Sequence, residues 1–177
     1  MSKVFKHPKD SYVISSEIVL PNDTNTYGNL MGGRLMHMMD VIGAIAAQKH
    51  CNRAVVTASV DNISFKSSPA LGDVITLEAK VTRAFNSSME IYIKVNTENM
   101  QKGTIVECNT AFMTFVAIDQ SGNPISVPRI EPETDQEKDF YESALRRRQL
   151  RLILGGRMSP DDATELKALF TKKSISK

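Results

Sequence analysis

The 177-residue sequence has no tryptophan, only two cysteines and a small aromatic fraction of 6%. Cys51 and Cys108 are too few for a disulfide framework, which favours a reducing compartment. The hydrophobic fraction of 41% is sufficient for a core, and with nine methionines that core is expected to be aliphatic and methionine-rich. The length is typical of one domain, with at most a small appendage.

Strong charge of either sign and long apolar runs are also missing. The formal net charge of +2 argues against nucleic-acid binding by bulk electrostatics. No apolar run reaches the roughly 20 residues that a membrane-spanning helix needs, and the opening MSKVFKHPKD lacks the apolar centre of a secretory signal. We therefore expect a cytoplasmic protein that binds neither nucleic acid nor a membrane.

The most informative stretch is Pro21 to Cys51, a polar loop that leads through Gly32 and Gly33 into a long apolar run. This run has no proline and no two-residue alternation, so it predicts one helix over about residues 33–49 that is buried on most sides. Glycines stand where a capping Ser, Thr, Asp or Asn is usual. We therefore expect uncovered backbone amides there, which can receive negative charge.

Asp40 falls in the middle of this apolar helix, where an unpaired carboxylate costs several kcal/mol. A functional site commonly explains such a cost, although a structural role in capping a neighbouring loop is also possible. His37 and Asp40 lie three residues apart, but no third ligand is evident, and we expect no metal site. Asn25, taken alone, is more typical of a turn than of a catalytic group.

The remaining apolar patterns predict strands at residues 11–20, 54–61, 75–81, 89–95 and 104–118. Short turns between successive strands favour antiparallel pairing. The fold class is therefore predicted to be α+β, with an antiparallel sheet wrapped around one long central helix. That helix is apolar on more sides than one sheet can cover, so we expect a homodimer or a higher oligomer.

Two details of this first domain are also predicted from local patterns. Residues 1–10 are basic and contain Pro8, which is typical of a loose arm. The alternation of residues 54–60 places Ala54, Val56, Ala58 and Val60 on one face, and the later change of phase predicts a bulge near Asn62.

The composition changes near residue 128, which divides the chain into a predicted domain 1–128 and a helical extension 129–177. Thr134 and Glu137 have the spacing of a capping box and predict a helix over about 135–152. Ser159 and Pro160 predict the start of a second helix, and residues 172–177 are expected to fray.

The sequence resembles the hotdog-fold acyl-CoA thioesterases, specifically the cytosolic acyl-CoA hydrolase family. The residues that carry the resemblance are PNDTNTYGNLMGGRLMHMMDVIGAIAA, VTASVDNISF, RAFNSSMEI, VPRIEPETDQEKDF and RRRQLR. They run from about residue 17 to 152. The combination is specific, whereas a lone Gly-Gly pair before a helix is common.

This resemblance implies a hydrolase that converts acyl-CoA to a free fatty acid and coenzyme A at a site between subunits. Asn25 of one subunit and Asp40 of another would flank the thioester. Asp40 would act as general base or nucleophile, and Asn25 would orient water or the thioester. Amides near Gly32 and Gly33 would receive the oxyanion. The resemblance also implies no resident cofactor, coenzyme A being part of substrate and product, and a hexamer built as a trimer of dimers.

The coenzyme A contacts implied by the resemblance fall on three segments. Hydroxyl and amide groups at turns and an arginine fork suit phosphate oxygens. The residues concerned are Thr57, Ala58, Ser59, Asn86, Ser87, Ser88 and Arg148.

Other classes of function are compatible with parts of this pattern. An acyl-CoA dehydratase of the same fold usually needs a catalytic histidine with an acid, and the loop before the helix contains no histidine. A non-catalytic acyl-CoA-binding or sensor protein would not need both Asn25 and Asp40. An RNA-binding module built on the arginine-rich helix is disfavoured by the small net charge, and a serine hydrolase by the lack of a G-x-S-x-G motif.

Overall fold

The computed structural model describes residues 5–61, 63 and 66–171. The chain divides into two compact units, Met1–Glu131 and Pro132–Lys177, which we describe separately. The division predicted from composition was placed after residue 128.

The centre of the first unit is the helix α1, Gly32–Cys51, which confirms the predicted helix and extends it slightly at both ends. Its N-cap is Met31, without a side-chain cap, so Gly32 and Gly33 are the first two helical residues. The helix ends at Asn52 in the left-handed conformation (φ 54°), which asparagine adopts more readily than most residues. The buried side of α1 is formed by residues such as Leu35, Met38, Met39, Ile42 and Ala46.

A five-stranded antiparallel sheet packs against α1, as predicted. Its strands are β2 (Val13–Ile18), β3 (Ala54–Asp61), β4 (Val74–Ala84), β5 (Ser88–Asn99) and β6 (Thr104–Ile118). They lie in the order β2-β4-β5-β6-β3. A short parallel pair joins β1 (Phe5–Lys6) to β7 (Arg129–Ile130). β3 is thus an edge strand, and the site described below lies beside it.

The prediction of a loose N-terminal arm is wrong for residues 5–10. Besides the pairing of β1, Pro8–Ser11 forms a 3-10 turn. The ammonium group of Lys6 donates to the carbonyl oxygen of Lys49 at 3.0 Å. A cation is favourable there because the carbonyl end of a helix carries partial negative charge. Residues 1–4 lie outside the described residues.

The helix approaches the sheet closely at Gly43. A Cβ atom added at Gly43 would lie 2.8 Å from Cε2 of Phe115 on β6. Both residues belong to the buried core. The absence of a side chain at Gly43 therefore sets how near α1 lies to the sheet.

A register shift in β3 controls which of its side chains face α1. Thr57 pairs with Phe115, but Ser59 pairs with Thr114, so the extra residue in β3 is Ala58. Cross-strand partners project to the same side of a sheet, and Thr57 therefore lies on the α1 side with Phe115. The predicted bulge near Asn62 is not tested, because Asn62 lies outside the described residues.

Because of the bulge at Ala58, the prediction that Ala54, Val56, Ala58 and Val60 share one face is wrong. Val56 pairs with Val116, whereas Val60 pairs with Met113. Val116 and Met113 differ by an odd number of residues along β6, so they face opposite sides. Val60 consequently joins Met113 on the α1 side, and Val56 points away from α1.

The second unit is a pair of helices, α2 (Asp135–Leu154) and α3 (Thr164–Thr171). The capping box at the start of α2 is confirmed: Thr134 Oγ1 accepts from the Glu137 amide, and the Glu137 carboxylate accepts from the Thr134 amide, both at 3.2 Å. Ser159 and Pro160 do not begin the second α-helix as predicted but a 3-10 turn, Pro160–Asp162. Residues 172–177 lie outside the described residues.

Measured against the length and apolarity needed to cross a bilayer, every described helix falls short.

Candidate active site around Asp40

Asp40 lies midway along α1, on the flank of the helix that faces β3. The Thr57 hydroxyl donates to its Oδ1 at 2.5 Å. Among the described residues, the other carboxylate oxygen has no hydrogen-bond donor. Asp40 is half-buried in the single chain, and its bond runs to a strand hydroxyl rather than to loop amides, so the loop-capping interpretation does not describe it.

An open cleft of about 330 Å³ lies over Asp40. Its walls are mainly apolar, with the carboxylate as the acidic group among them. The lining residues are Gly33, Met36, His37, Asp40, Val60, Ile63 and Met113. A carboxylate with one oxygen held by a hydroxyl can act in such a cleft on a polar group carried by an apolar ligand.

The first turn of α1 also opens onto this cleft. A Cβ atom added at Gly33 would meet nothing within 4 Å, so close packing within this chain does not explain the glycine. Among the described residues, the Gly33 amide donates to no acceptor, as expected for an uncapped first turn. Gly32 lines a separate cavity of about 210 Å³ with Leu30, Leu35 and Ser67–Pro69.

Asn25 organises the loop that precedes α1. Its Oδ1 accepts hydrogen bonds from the amides of Tyr27 at 2.9 Å and Asn29 at 3.2 Å, and its backbone carbonyl accepts from the Gly28 amide at 2.9 Å. Because Oδ1 is the acceptor, the Nδ2 amide group is the part of this exposed side chain that projects outward as a donor. Asn25 forms no hydrogen bond with Asp40 of the same chain.

The structure places the residues expected to contact coenzyme A on three separate elements. Thr57, Ala58 and Ser59 lie on β3, where the Thr57 hydroxyl is bonded to Asp40. Asn86 and Ser87 lie in the turn between β4 and β5, and Ser88 is the first residue of β5. Arg148 is an exposed residue of α2 in the second unit. Of these seven residues, only Thr57 forms a hydrogen bond with a predicted catalytic residue.

His37 and His50 lie in different environments. His37 lines the cleft with Asp40, yet no group of three or more His, Cys, Asp or Glu side chains suited to a metal ion occurs in the part of the chain that the structure describes. His50 is fully buried and its Nε2 donates to the Pro128 carbonyl at 2.8 Å. The neighbouring thiol of Cys51 donates to the Arg53 carbonyl instead.

Sequence reasoning missed two features of the site. It did not identify the Thr57–Asp40 bond, because a threonine in a strand carries no signal of its own and Asp40 lies 17 residues earlier in the chain. It also missed Met36, Val60 and Met113 as cleft walls. The exposed position of Met36, at 44%, contrasts with the buried positions of Met38 and Met39.

Comparison with known proteins supplies the family. A family model described as the Thioesterase superfamily matches residues 27–104. The chain is 41% identical over 139 residues to the uncharacterized acyl-CoA thioester hydrolase YkhA of Bacillus subtilis, covering 78% of this chain and 81% of that protein. The chain belongs to the thioesterase superfamily. It is also 40% identical over 138 residues to the cytosolic acyl coenzyme A thioester hydrolase of Rattus norvegicus, covering 75% of this chain and 36% of the rat protein.

Solved structures of thioesterases agree in fold. A crystal structure of an apo-hexameric acyl-CoA thioesterase superposes with a TM-score of 0.83 and 41% identity, covering 86% of this chain and 97% of that one. The acyl-CoA hydrolase of Staphylococcus aureus, in complex with butyryl coenzyme A, coenzyme A and coenzyme A disulfide, superposes with a TM-score of 0.79 and 35% identity, covering 86% and 95%. These similarities confirm the predicted hotdog fold, and the protein is a hydrolase acting on thioesters.

Alanine variants of the Staphylococcus aureus hydrolase have also been solved. They replace an asparagine, an aspartate fifteen residues after it and a threonine seventeen residues after the aspartate. Asn25, Asp40 and Thr57 are separated by the same two intervals.

Proposed function

We propose that this thioesterase hydrolyses acyl-CoA to a free fatty acid and coenzyme A, with Asp40 as the reactive carboxylate. The observation that carries the proposal is the geometry of Asp40, which has one oxygen held by Thr57 and lies in a largely apolar cleft. The names of the relatives and the butyryl coenzyme A complex support an acyl-CoA substrate. The cleft walls suit an acyl chain beside the thioester.

Asp40 has two chemically balanced routes to hydrolysis. As a general base, it takes a proton from a water molecule whose oxygen attacks the thioester carbon, and the tetrahedral intermediate then expels the coenzyme A thiolate, which takes the proton from Asp40. As a nucleophile, it attacks the same carbon, releases the thiolate and leaves an anhydride for water to cleave. In both routes the Thr57 hydroxyl fixes Oδ1 and leaves Oδ2 to react.

The negative charge that develops on the thioester oxygen needs donors. The uncovered first turn of α1 supplies them, since the Gly33 amide has no acceptor among the described residues and the helix dipole favours negative charge at this end. The open space over Gly33 lets a substrate carbonyl approach the backbone. We assign the oxyanion to the amides near Gly32 and Gly33.

Asn25 acts as a hydrogen-bond donor in this scheme. Because the amides of Tyr27 and Asn29 occupy Oδ1, the free Nδ2 group can polarise the thioester carbonyl or hold the oxygen of the attacking water. It cannot accept the proton of that water, which leaves the task of proton acceptor to Asp40.

A second copy of the chain completes the site. Asn25 does not bond to Asp40 within one chain, and α1 leaves Met36, Val41 and Ile45 between 44% and 45% exposed. An apolar helix face of this kind is stabilised by burial against another copy. We therefore propose that Asn25 of one protomer meets Asp40 of its partner in a homodimer, and the hexameric thioesterase supports a trimer of such dimers.

Coenzyme A contacts at Ala58, Ser59, Asn86–Ser88 and Arg148 form part of the proposal. For Thr57, the bond to Asp40 favours positioning of the carboxylate over a phosphate contact, because its one hydroxyl hydrogen is already donated. The cytosolic rat relative supports a cytoplasmic location.

Thiol release from a panel of acyl-CoA substrates tests this function. The wild type should release one thiol per fatty acid formed. Asp40→Asn should lower kcat by about 10² to 10⁴, the usual contribution of acid–base catalysis, while Asn25→Ala should lower kcat by about 10². Asp139→Asn, an exposed aspartate of α2, is the matched control and should be fully active.

Two other outcomes of this assay would support a sensor protein or a dehydratase instead. Binding of acyl-CoA without thiol release by the wild type would favour a sensor protein. Consumption of β-hydroxyacyl-CoA without thiol release would favour a dehydratase. Either result would overturn the proposed hydrolysis.

A further inference from the structure

We propose that Arg34 is a positioning residue that holds the Asn25 loop, defined as residues 20–31, against the first turn of α1. The inference rests on the proposed function, since it assumes that Asn25 takes part in hydrolysis. The contacts that support it are all within the first unit.

Arg34 makes two ion pairs with elements outside its own helix. Its Nε donates to Oδ1 of Asp23 at 2.8 Å, and a terminal nitrogen donates to Oε2 of Glu17 on β2 at 3.2 Å. The Asp23 side chain is only 14% exposed and that of Arg34 31% exposed. The Arg34–Asp23 pair is therefore less screened than a surface pair and has a defined geometry.

The position of Arg34 in the helix makes these contacts informative. It lies in the first turn of α1, where a cation is unfavourable because the amide end of the helix carries partial positive charge. The carboxylates of Asp23 and Glu17 offset that repulsion. The two ion pairs thus stabilise an arginine at a position where the helix dipole alone would favour an acidic or neutral residue.

Asp23 joins the two ends of the Asn25 loop. Its carboxylate accepts from the Leu20 amide at 3.2 Å, at the loop entry. Its carbonyl oxygen accepts from the amide of Met31, the N-cap of α1, at 2.9 Å. Because Arg34 forms an ion pair with Asp23, it fixes both the beginning and the end of the loop. Their positions are set relative to the backbone amides proposed to bind the oxyanion.

Other bonds keep the loop folded when Arg34 is changed. The Leu30 amide donates to the Pro69 carbonyl at 2.8 Å, and the Leu71 amide donates to the Gly28 carbonyl at 2.9 Å. Loss of the Arg34–Asp23 pair should thus alter the placement of Asn25 without unfolding the protein. Misplacement of a catalytic group by about 1 Å can cost about 100-fold in rate.

The test is a double-mutant cycle with Arg34→Met and Asn25→Ala in the full chain. Methionine keeps an unbranched apolar stem, which suits the small cavity that Arg34 lines with Met38 and Ile42. We expect Arg34→Met to lower kcat about tenfold or more with little change in KM, and Arg34→Lys to restore part of the loss. In the Asn25→Ala background, Arg34→Met should cause no further loss, because the group that it positions is gone.

Lys66→Met is the matched control. It removes an ion pair of similar length, Lys66–Glu107 at 2.9 Å, that does not contact the Asn25 loop, and it should leave kcat unchanged. Wild-type kcat in Arg34→Met would overturn the inference. Losses that multiply in the double variant would also overturn it, since Arg34 would then act independently of Asn25.

Amide hydrogen exchange gives a readout that does not depend on activity. The amides of Tyr27 and Asn29, which bind Asn25 Oδ1, should exchange faster in Arg34→Met than in the wild type or in Lys66→Met. Unchanged exchange would contradict positioning. If Asn25→Ala itself were fully active, the proposed role of Asn25 would fail, and the exchange rates would still decide whether Arg34 orders the loop.

Discussion

Thr57 donates its hydroxyl hydrogen to Oδ1 of Asp40 across 2.5 Å and so joins edge strand β3 to the middle of helix α1. Thr57 pairs with Phe115 on the side of the sheet that faces α1, and the bulge at Ala58 shifts the register of the residues that follow. The pairing of β3 with β6 thus places the Thr57 hydroxyl within reach of Asp40.

Thr57→Val should lower kcat by about 10- to 100-fold. Valine keeps the shape of the side chain but removes a hydrogen bond to a charged group, which is worth about 1.5–3 kcal/mol, and each 1.36 kcal/mol is a factor of about ten in rate. Steady-state thiol release measures the effect.

Thr76→Val is the control for this substitution. It removes a threonine–serine hydrogen bond of 2.8 Å to Ser16, between β4 and β2, and should keep full activity. Equal activity of Thr57→Val and the wild type would show that the bond to Asp40 has no part in the reaction.

Gly33→Ala should lose activity without losing stability. The added methyl group meets nothing within 4 Å in the chain, and alanine is favoured over glycine in a helix by about 1 kcal/mol. A decrease in kcat/KM must then come from a molecule outside the chain that approaches this backbone. Thermal unfolding and thiol release measured together make the comparison, and full activity would contradict the oxyanion assignment.

Gly43→Ala should show the opposite pattern. Its Cβ would lie 2.8 Å from the ring of Phe115, and overpacking of a core typically costs about 1–3 kcal/mol. We expect a lower free energy of unfolding in denaturant titrations, with kcat per folded molecule close to that of the wild type. A variant as stable as the wild type would show that the helix–sheet distance is not set at this glycine.

The sequence predicted the elements whose patterns extend over many residues. The uninterrupted apolar run predicted α1, and clean alternation predicted β4 and β5, because burial of one side imposes a regular period. The capping box of Thr134 and Glu137 was also predicted, because it depends only on residues close together in the chain.

Features that depend on tertiary contacts were not predictable in this way. The bulge at Ala58 was not predicted, because several registers fit the same short run of small apolar residues. The role of Gly43 in the close approach of α1 to the sheet depends on its contact with Phe115, which lies far away in the sequence. The role of Arg34 has no signal in the sequence, since its partners Asp23 and Glu17 lie 11 and 17 residues away.

His50 should make stability depend on pH. It is fully buried, and Nδ1 has no hydrogen-bond partner among the described residues. Burial is the main cause that lowers the pKa of His50 below its usual value of 6.5, and the Pro128 carbonyl opposes it. The folded state therefore keeps this ring neutral at a pH where the unfolded chain binds a proton.

The direction of this pH dependence follows from the difference in the pKa of His50 between the folded and unfolded states. The contribution of His50 to the free energy of unfolding is complete above about pH 6.5 and is lost as the pH falls from there towards the lower folded-state pKa. Thermal unfolding of the wild type between about pH 8 and pH 5 should show this decrease, and His50→Gln should show a smaller slope. An identical slope in both proteins would exclude His50 as the cause.

Subunit mixing tests most directly whether Asp40 of one protomer and Asn25 of another form one hydrolytic site. Asp40→Asn and Asn25→Ala proteins, each nearly inactive, are unfolded together, refolded and assayed for thiol release, with exchange of subunits verified by mass. In a symmetric dimer, half of the molecules are mixed and each has one intact site, so activity should recover to about a quarter of the wild-type value. No recovery in verified mixed oligomers would contradict the shared site.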